Sequence, residues 1–228
     1  MRKPQASACG SFFFTRKMRK VICFIDGFNL YHAIDNLNQD HLKWLDLRKL
    51  ALRFVKTKTH MLTDVYFFSA YATWKPGSYQ RHRQYVAALR SVDVKPVMGQ
   101  FKVKDRKCPD CKYQWKGHEE KETDVNIAVA MLTSAYEDLF DDAILISRDS
   151  DLAPPINTIR KKFPGKGITV VAPPHLGHCN ELVKAANAKS KITKKMLQEC
   201  HLPEDIYDVG GNLVTKRPIE YTPTAQSF

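Results

Sequence analysis

The chain has 228 residues, 43% of them hydrophobic, which is enough for a sizeable core in one α/β domain with peripheral additions. No run approaches the ~20 consecutive apolar residues of a membrane span, and Phe12-Phe13-Phe14 is too short for the ~7–15-residue core of a secretory signal. Lysine and arginine total 36 against 24 acidic residues, a formal net charge of +12. Such an excess favours nucleic acid through counterion release, although it also serves plain solubility. The six cysteines (9, 23, 108, 111, 179 and 200) are expected to be reduced in a cytoplasmic protein, with Cys23 a buried small hydrophobe inside an apolar strand.

Residues 1–18 read as an extended or disordered N-terminal segment. Val21–Ile25 is the first strand, Asp26-Gly27-Phe28-Asn29 a turn, and Leu30 to Leu37 a short helix. Asp46 is placed to cap a second helix whose apolar positions are 47, 50, 51, 54 and 55. A buried strand follows around Val65–Phe68, then a helix from Ser78 to Leu89 and a strand from Val92 to Val97. Phe101 to Gly117 reads as an irregular basic insertion. Apolar residues ring the helix Thr123–Tyr136, so it is expected to be largely buried. A strand over Ala143–Ser147 leads to a helix from Asp151 to Phe163, where Pro154 and Pro155 fit the first turn. Strand Ile168–Ala172, a helix from Cys179 to Ala188 and a short helix within Ile192–Glu199 complete the pattern. From Pro203 onward the chain reads as a peripheral tail with a turn at Gly210-Gly211. Alternating strands and helices imply a mainly parallel sheet covered on both faces.

Four aspartates fall where that arrangement concentrates chemistry. Asp26 ends the first strand, Asp149 and Asp151 follow the strand at 143–147, and Asp124 opens the helix between them. The carboxyl ends of parallel strands form the ligand crevice of an open α/β sheet. Two carboxylates there, roughly 6 Å apart at an effective dielectric of about 20, repel by about 3 kcal/mol. A divalent cation offsets that cost, and hard oxygen ligands suit Mg²⁺ or Mn²⁺. Each residue also has a plain structural role open to it: Asp26 as the start of a turn, Asp124 as a first-turn acid on the helix dipole, and Asp149 and Asn29 as helix caps.

Three stretches, Phe24-Ile25-Asp26-Gly27-Phe28-Asn29-Leu30-Tyr31, Glu120-Lys121-Glu122-Thr123-Asp124-Val125-Asn126-Ile127-Ala128 and Ile146-Ser147-Arg148-Asp149-Ser150-Asp151-Leu152-Ala153-Pro154, stand in this order. Together they resemble the NYN domain family of PIN-like nucleases. The resemblance covers about residues 19–190 and extends to Phe163-Pro164-Gly165-Lys166 and Ala172-Pro173-Pro174. It implies a Rossmann-like three-layer α/β sandwich with a mainly parallel central sheet, and a Mg²⁺ or Mn²⁺ site that hydrolyses RNA phosphodiesters. By matched motif, Asp26, Asp124, Asp149 and Asp151 become the metal-binding and catalytic carboxylates, with Asn29 on the same rim orienting water or a phosphate oxygen. The division implied is an NYN/PIN-like domain over 19–190, carrying the basic insertion at about 101–118, and a C-terminal helix and tail over 191–228. Two positions depart from the family's pattern. Ala130 stands where many relatives carry a second aspartate, which bears on the number of metal ions, and Arg148 stands where many have glycine, offering a guanidinium to a phosphate or to solvent.

Cys108-Pro109-Asp110-Cys111 has the spacing of half a zinc knuckle, but a structural zinc needs four ligands and no second close pair is present. The same insertion places Lys104 and Lys107 near Tyr113 and Trp115, the mixture of cations and rings that suits single-stranded nucleic acid. Tyr71 and Trp74, at the end of an otherwise core-forming aromatic strand, are further candidates. Two functions compete: a metal-dependent ribonuclease, and an RNA-binding module whose site is too weak for turnover. An aspartyl phosphomonoesterase would want a second aspartate two residues after the first, where Phe28 stands. Nothing in the chain decides the RNA target, endo against exo cleavage, protein partners or the presence of a homo-oligomer.

Overall fold

Val21–Ile25 carries no polar side chain except a thiol, and both faces of the strand it forms are covered. In the computed structural model, which describes residues 17–223, this segment is the centre of a seven-stranded sheet. The elements in chain order are β1 (Arg19–Asp26), α1 (Gly27–Asp35), a 3₁₀ turn (Asp40–Lys43), α2 (Leu47–Leu52), β2 (His60–Ala70), α3 (Pro76–Ser91), β3 (Val94–Lys107), β4 (Gln114–Lys121), α4 (Thr123–Tyr136), β5 (Asp142–Ile146), α5 (Ala153–Lys162), β6 (Gly167–Ala172), α6 (Asn180–Ala185), β7 (Ala188–Lys191), α7 (Lys194–Glu199), β8 (Asp205–Tyr207) and β9 (Leu213–Lys216). The strand order is β4-β3-β2-β1-β5-β6-β7, with every pairing parallel except β3 with β4. The period-2 alternation of β1 divides the core. Val21, Cys23 and Ile25 pack with residues of α1, α2 and α3, while Ile22 and Phe24 pack with α4, α5 and α6. The sheet is therefore the middle layer of three, the mainly parallel α/β sandwich expected.

The chain leaves β1 for β2 on one side and returns through β5 on the other, so the carboxyl ends of β1 and β5 flank a topological switch point. The register Ile25↔Ile146 brings the two strand ends level there. Helix α1 begins at Gly27, three residues earlier than the sequence suggests, because Asp26 itself caps it. Gly27 is required by proximity: a Cβ at this position would lie 2.5 Å from the Phe68 carbonyl oxygen and 2.6 Å from the Phe67 ring.

Four expectations are corrected. Residues 101–117 are not irregular; they extend β3 and form β4, an antiparallel hairpin running from Gln100↔Lys121 to Lys107↔Gln114. Their alternation (Phe101, Val103 against Lys102, Lys104) is genuine strand patterning that the density of charge conceals. Helix α4 is not largely buried: Val125 and Val129 are 63% and 55% exposed, and only the side through Thr123, Ile127, Met131 and Ala135 faces the core. The helix after β6 stops at Ala185, and 188–191 adds β7 to the sheet edge. The C-terminal segment is more than a tail. Leu202, Ile206 and Tyr221 bury against Trp44 and Ala88 in a third cluster, where the Trp44 indole donates to the Pro203 carbonyl at 2.6 Å. The five described cysteines are free, with Cys23 fully buried. Among the described residues no helix is long and apolar enough to cross a membrane. The N-terminal segment expected to be extended lies, through residue 16, outside the described residues.

Candidate metal and nucleic-acid site

Asp26 is both a helix cap and the innermost acid of the switch-point crevice. Its Oδ1 accepts the Asn29 amide at 3.0 Å, and its Oδ2 accepts the Asn29 side-chain amide at 2.7 Å and the Ser147 hydroxyl at 2.8 Å. Ser147 Oγ in turn accepts the Asp149 backbone N–H at 3.0 Å, and Asp149 Oδ1 accepts that of Asp151 at 2.9 Å. One chain of hydrogen bonds thus ties the end of β1 to the loop after β5. Asn29 completes it from the other side, its Oδ1 accepting the Arg148 N–H at 3.3 Å. The asparagine therefore braces two loops, with both ends of its amide engaged.

Electrostatics show which acids share a space. Asp26 is only 2% exposed, and this burial raises its pKa in spite of three donors, with the charge of Asp149 adding to the effect. Asp124, half-buried in the first turn of α4, is pushed up to about 6, first by burial and then by the charges of Asp149, Asp26, Glu120 and Asp151. The four predicted aspartates are thus brought together, with Asp151 at the exposed rim. Glu120, at the end of β4, joins them. Its Oε1 accepts the Thr123 N–H at 3.0 Å and the Thr123 hydroxyl, which pins the start of α4. Ser147 and Glu120 were not picked out as site residues from the sequence. The first needs the β1–β5 register, and the second needs the hairpin.

The donor set is oxygen throughout and hard, running from buried Asp26 to exposed Asp151, and its mutual repulsion is the condition a divalent cation relieves. Among the described residues no three His, Cys, Asp or Glu side chains are arranged to enclose an ion. Mg²⁺ ordinarily keeps several waters and takes one or two carboxylates plus substrate phosphate, so an open rim of acids fits it better than a closed cage would. Ala130 lies roughly 120° around the helix from Asp124 and packs against the apolar cluster of β1, β5 and α5. An aspartate there would not face the same ion.

The remaining predicted residues fall elsewhere. Arg148 is exposed, and its Nε donates to the Gly177 carbonyl at 3.1 Å, holding it against the loop after β6 and outside the crevice. Lys104, Lys107, Tyr113 and Trp115 sit on the outer hairpin, which by strand rise projects roughly 20 Å beyond its base. Tyr113 and Trp115 stack with centroids 6.2 Å apart and are 68% and 42% exposed. Cys108 and Cys111 occupy the hairpin tip, where no third ligand joins them among the described residues. Only the base of the hairpin reaches the site. There a cavity of about 630 Å³ begins at Asp26, Asp124 and Asp149, passes Phe28, Trp74 and Phe101, and ends at Arg81 and Tyr221.

The NYN domain family matches residues 20–192. A solved structure of a protein of unknown function from Vibrio parahaemolyticus RIMD 2210633 has the same fold, with a TM-score of 0.52 and 18% identity over 81% of this chain and 97% of that one. No curated protein matches the chain.

Proposed function

The chain belongs to the NYN domain family of PIN-like nucleases, and from that premise we propose that it is a ribonuclease that hydrolyses RNA phosphodiester bonds with Mg²⁺ or Mn²⁺ held by Asp26, Asp124, Asp149 and Asp151. The observation that carries the reading is the raised pKa of Asp124, caused after burial by the four other acids around the same rim. A protein with a formal charge of +12 that gathers acids at one switch point is suited to a polyanion and a cation together. A cation bound there would supply a lowered pKa for attacking water and neutralisation of the leaving oxygen. The chain's own residues do the positioning. Ser147 and Asn29 hold the Asp26 carboxylate and favour its ionised form. Glu120 fixes the first turn of α4 and with it Asp124.

The basic hairpin and the engagement of both Asp26 oxygens by protein donors favour a second reading, an RNA-binding module with a weak site. Cleavage of a fluorescent single-stranded RNA in Mn²⁺, Mg²⁺ and EDTA, beside Asp149→Asn, separates the two. Metal-dependent cleavage that disappears in the variant is expected. Salt-sensitive binding without any cleavage would transfer the assignment to the module.

A further inference from the structure

The part of the cavity around Arg81, Lys43 and His82 suits phosphate poorly. Three cations line the cavity: Lys75 is exposed, but Arg81 donates to Glu220 at 2.8 Å and Lys43 is paired with Asp35 and Asp40. His82, on the same wall, is driven down to about 4 by burial and is neutral at pH 7. The Tyr85 hydroxyl donates a hydrogen bond to the Leu45 carbonyl at 2.8 Å. An anion drawn in between Arg81, Lys43 and His82 would lose its hydration without gaining an unpaired positive partner there.

The middle of the cavity is lined by rings. Trp74 lies flat against His118, with centroids 3.7 Å apart and planes 8° from parallel, and meets Phe101 edge-on at 4.6 Å. Phe101 meets Phe28 edge-on at 5.7 Å. These four rings come from three separate places: the first turn of α1, the loop between β2 and α3, and both strands of the hairpin base. They converge beside the acids, since Phe28 is two residues from Asp26 and His118 two residues from Glu120. A flat, uncharged, aromatic occupant satisfies such walls, whereas a charged one does not.

We propose that this cavity is a nucleobase pocket, which takes one unpaired base from the nucleotide adjoining the phosphate that the carboxylates address, so that the substrate is single-stranded RNA or an unpaired loop. The proposal deepens the nuclease reading and rests on it for the nature of the polymer. A base inside a duplex is stacked and paired and cannot enter. An unpaired base enters edge-first and stacks, as bases do on the rings of single-strand binding proteins. The pocket selects for strandedness through its shape and for position through its distance from the acids.

The test is equilibrium binding of the full chain in EDTA to a labelled five-nucleotide RNA strand, to the same strand with a single abasic nucleotide moved through each position, and to a duplex of the same sequence. One abasic position is expected to lower affinity about tenfold. Trp74→Leu is expected to cost about the same on the intact strand, to add nothing on the strand already lacking that base, and to leave duplex binding unaltered. Trp74→Phe, which keeps a ring, should recover most of the loss and guards against a misfolded variant. Equal losses for Trp74→Leu on intact, abasic and duplex RNA, or an abasic series without a sensitive position, would overturn the pocket. Cleavage in Mn²⁺ is scored separately. A chain that cleaves without the abasic signature keeps the nuclease reading and loses the pocket, while the signature without cleavage does the reverse.

Discussion

The two walls of the crevice are made from opposite kinds of structure. The acidic wall stands mainly on β1 and β5, neighbouring central strands with both faces covered, so that Asp26 and Ser147 are placed by packing from above and below, while Asp124 joins from α4 and Glu120 from β4. The ringed wall stands in part on the base of the β3–β4 hairpin at the sheet edge, where half of the side chains face water and position depends on one antiparallel ladder and a few aromatic contacts. Rigid backbone thus holds the groups whose mutual distances chemistry demands, and an edge element holds the groups that need only offer a surface. Substitutions in the two walls should differ in kind as well as in size.

The largest effect is expected at Asp124, where function and stability oppose each other. Its folded pKa, about 6, lies above the ~3.9 of an unfolded aspartate, so the stability linked to its proton is fully present below pH ~4 and is lost as the pH rises through about 6. After discounting for its half-exposed position, the ionised form costs the metal-free fold on the order of 1 kcal/mol at neutral pH. Asp124→Asn is therefore expected to abolish at least ~10³-fold of cleavage, about 4 kcal/mol of transition-state stabilisation. It should also raise the Tm at pH 7.5 in EDTA by about 2–4 °C. The gain should fall to about half at pH 5 and vanish only below about pH 4, where the parent residue is protonated in both the folded and the unfolded chain. A variant less stable than the parent at pH 7.5 would mean that the acids do not strain one another in the way their grouping implies.

The hairpin should respond in affinity alone. Replacing Asp105–Lys116 by Asn-Gly removes the basic tip and the Tyr113–Trp115 stack while preserving the base that carries Phe101, His118 and Glu120. The Tm should stay within about 2 °C, since the excised residues are exposed or at most half-buried. Affinity for single-stranded RNA is expected to fall about tenfold at low ionic strength, with a shallower dependence on salt because fewer counterions are released. An unchanged salt slope would place the RNA track elsewhere on the surface, for example on the basic end of α5. A fall in kcat would show that the tip, too, helps to place the acids.

The same division explains what was legible in the sequence. Val21–Ile25 and Ala143–Ile146 announce themselves because burial on both faces leaves only apolar residues, and the aspartates at their ends follow from position. The N-cap Asp46 was likewise readable from side-chain type, whereas Asp26 read as the start of a turn and not as the cap it is. Hairpin residues 101–121 carry so many charges for solvent that their alternation is hidden, and with it the cross-strand pairing of Phe101 and Glu120 that brings both to the cavity. Helix α4 misled in the other direction: Val125 and Val129 are apolar yet exposed, so composition overstated its burial. Tyr221 closes the far end of the cavity through contacts more than 130 residues away in the chain, a placement that no local pattern encodes.

The smallest expected effect discriminates most finely within the acidic wall. Ser147 donates to Asp26 Oδ2 at 2.8 Å and accepts from the Asp149 N–H at 3.0 Å, so its hydroxyl could matter by holding charge or by holding the loop. Donation to a carboxylate favours the ionised form, and the Ser147 bond is one of those that lower the pKa of Asp26 against its burial. In Ser147→Ala that pKa rises further, so the acid limb of kcat/KM against pH should move to higher pH. The loss should be largest at the acidic end of the profile and should shrink toward its alkaline end. Removing a support for the Asp149 loop instead would displace a ligand equally at every pH and give a parallel drop across the whole profile. Because one buried hydroxyl bond contributes only about 1 kcal/mol to stability, both proteins should remain folded across that range. The shape of the profile, rather than its height, then says whether the bond between the two strand ends tunes a charge or fixes a position.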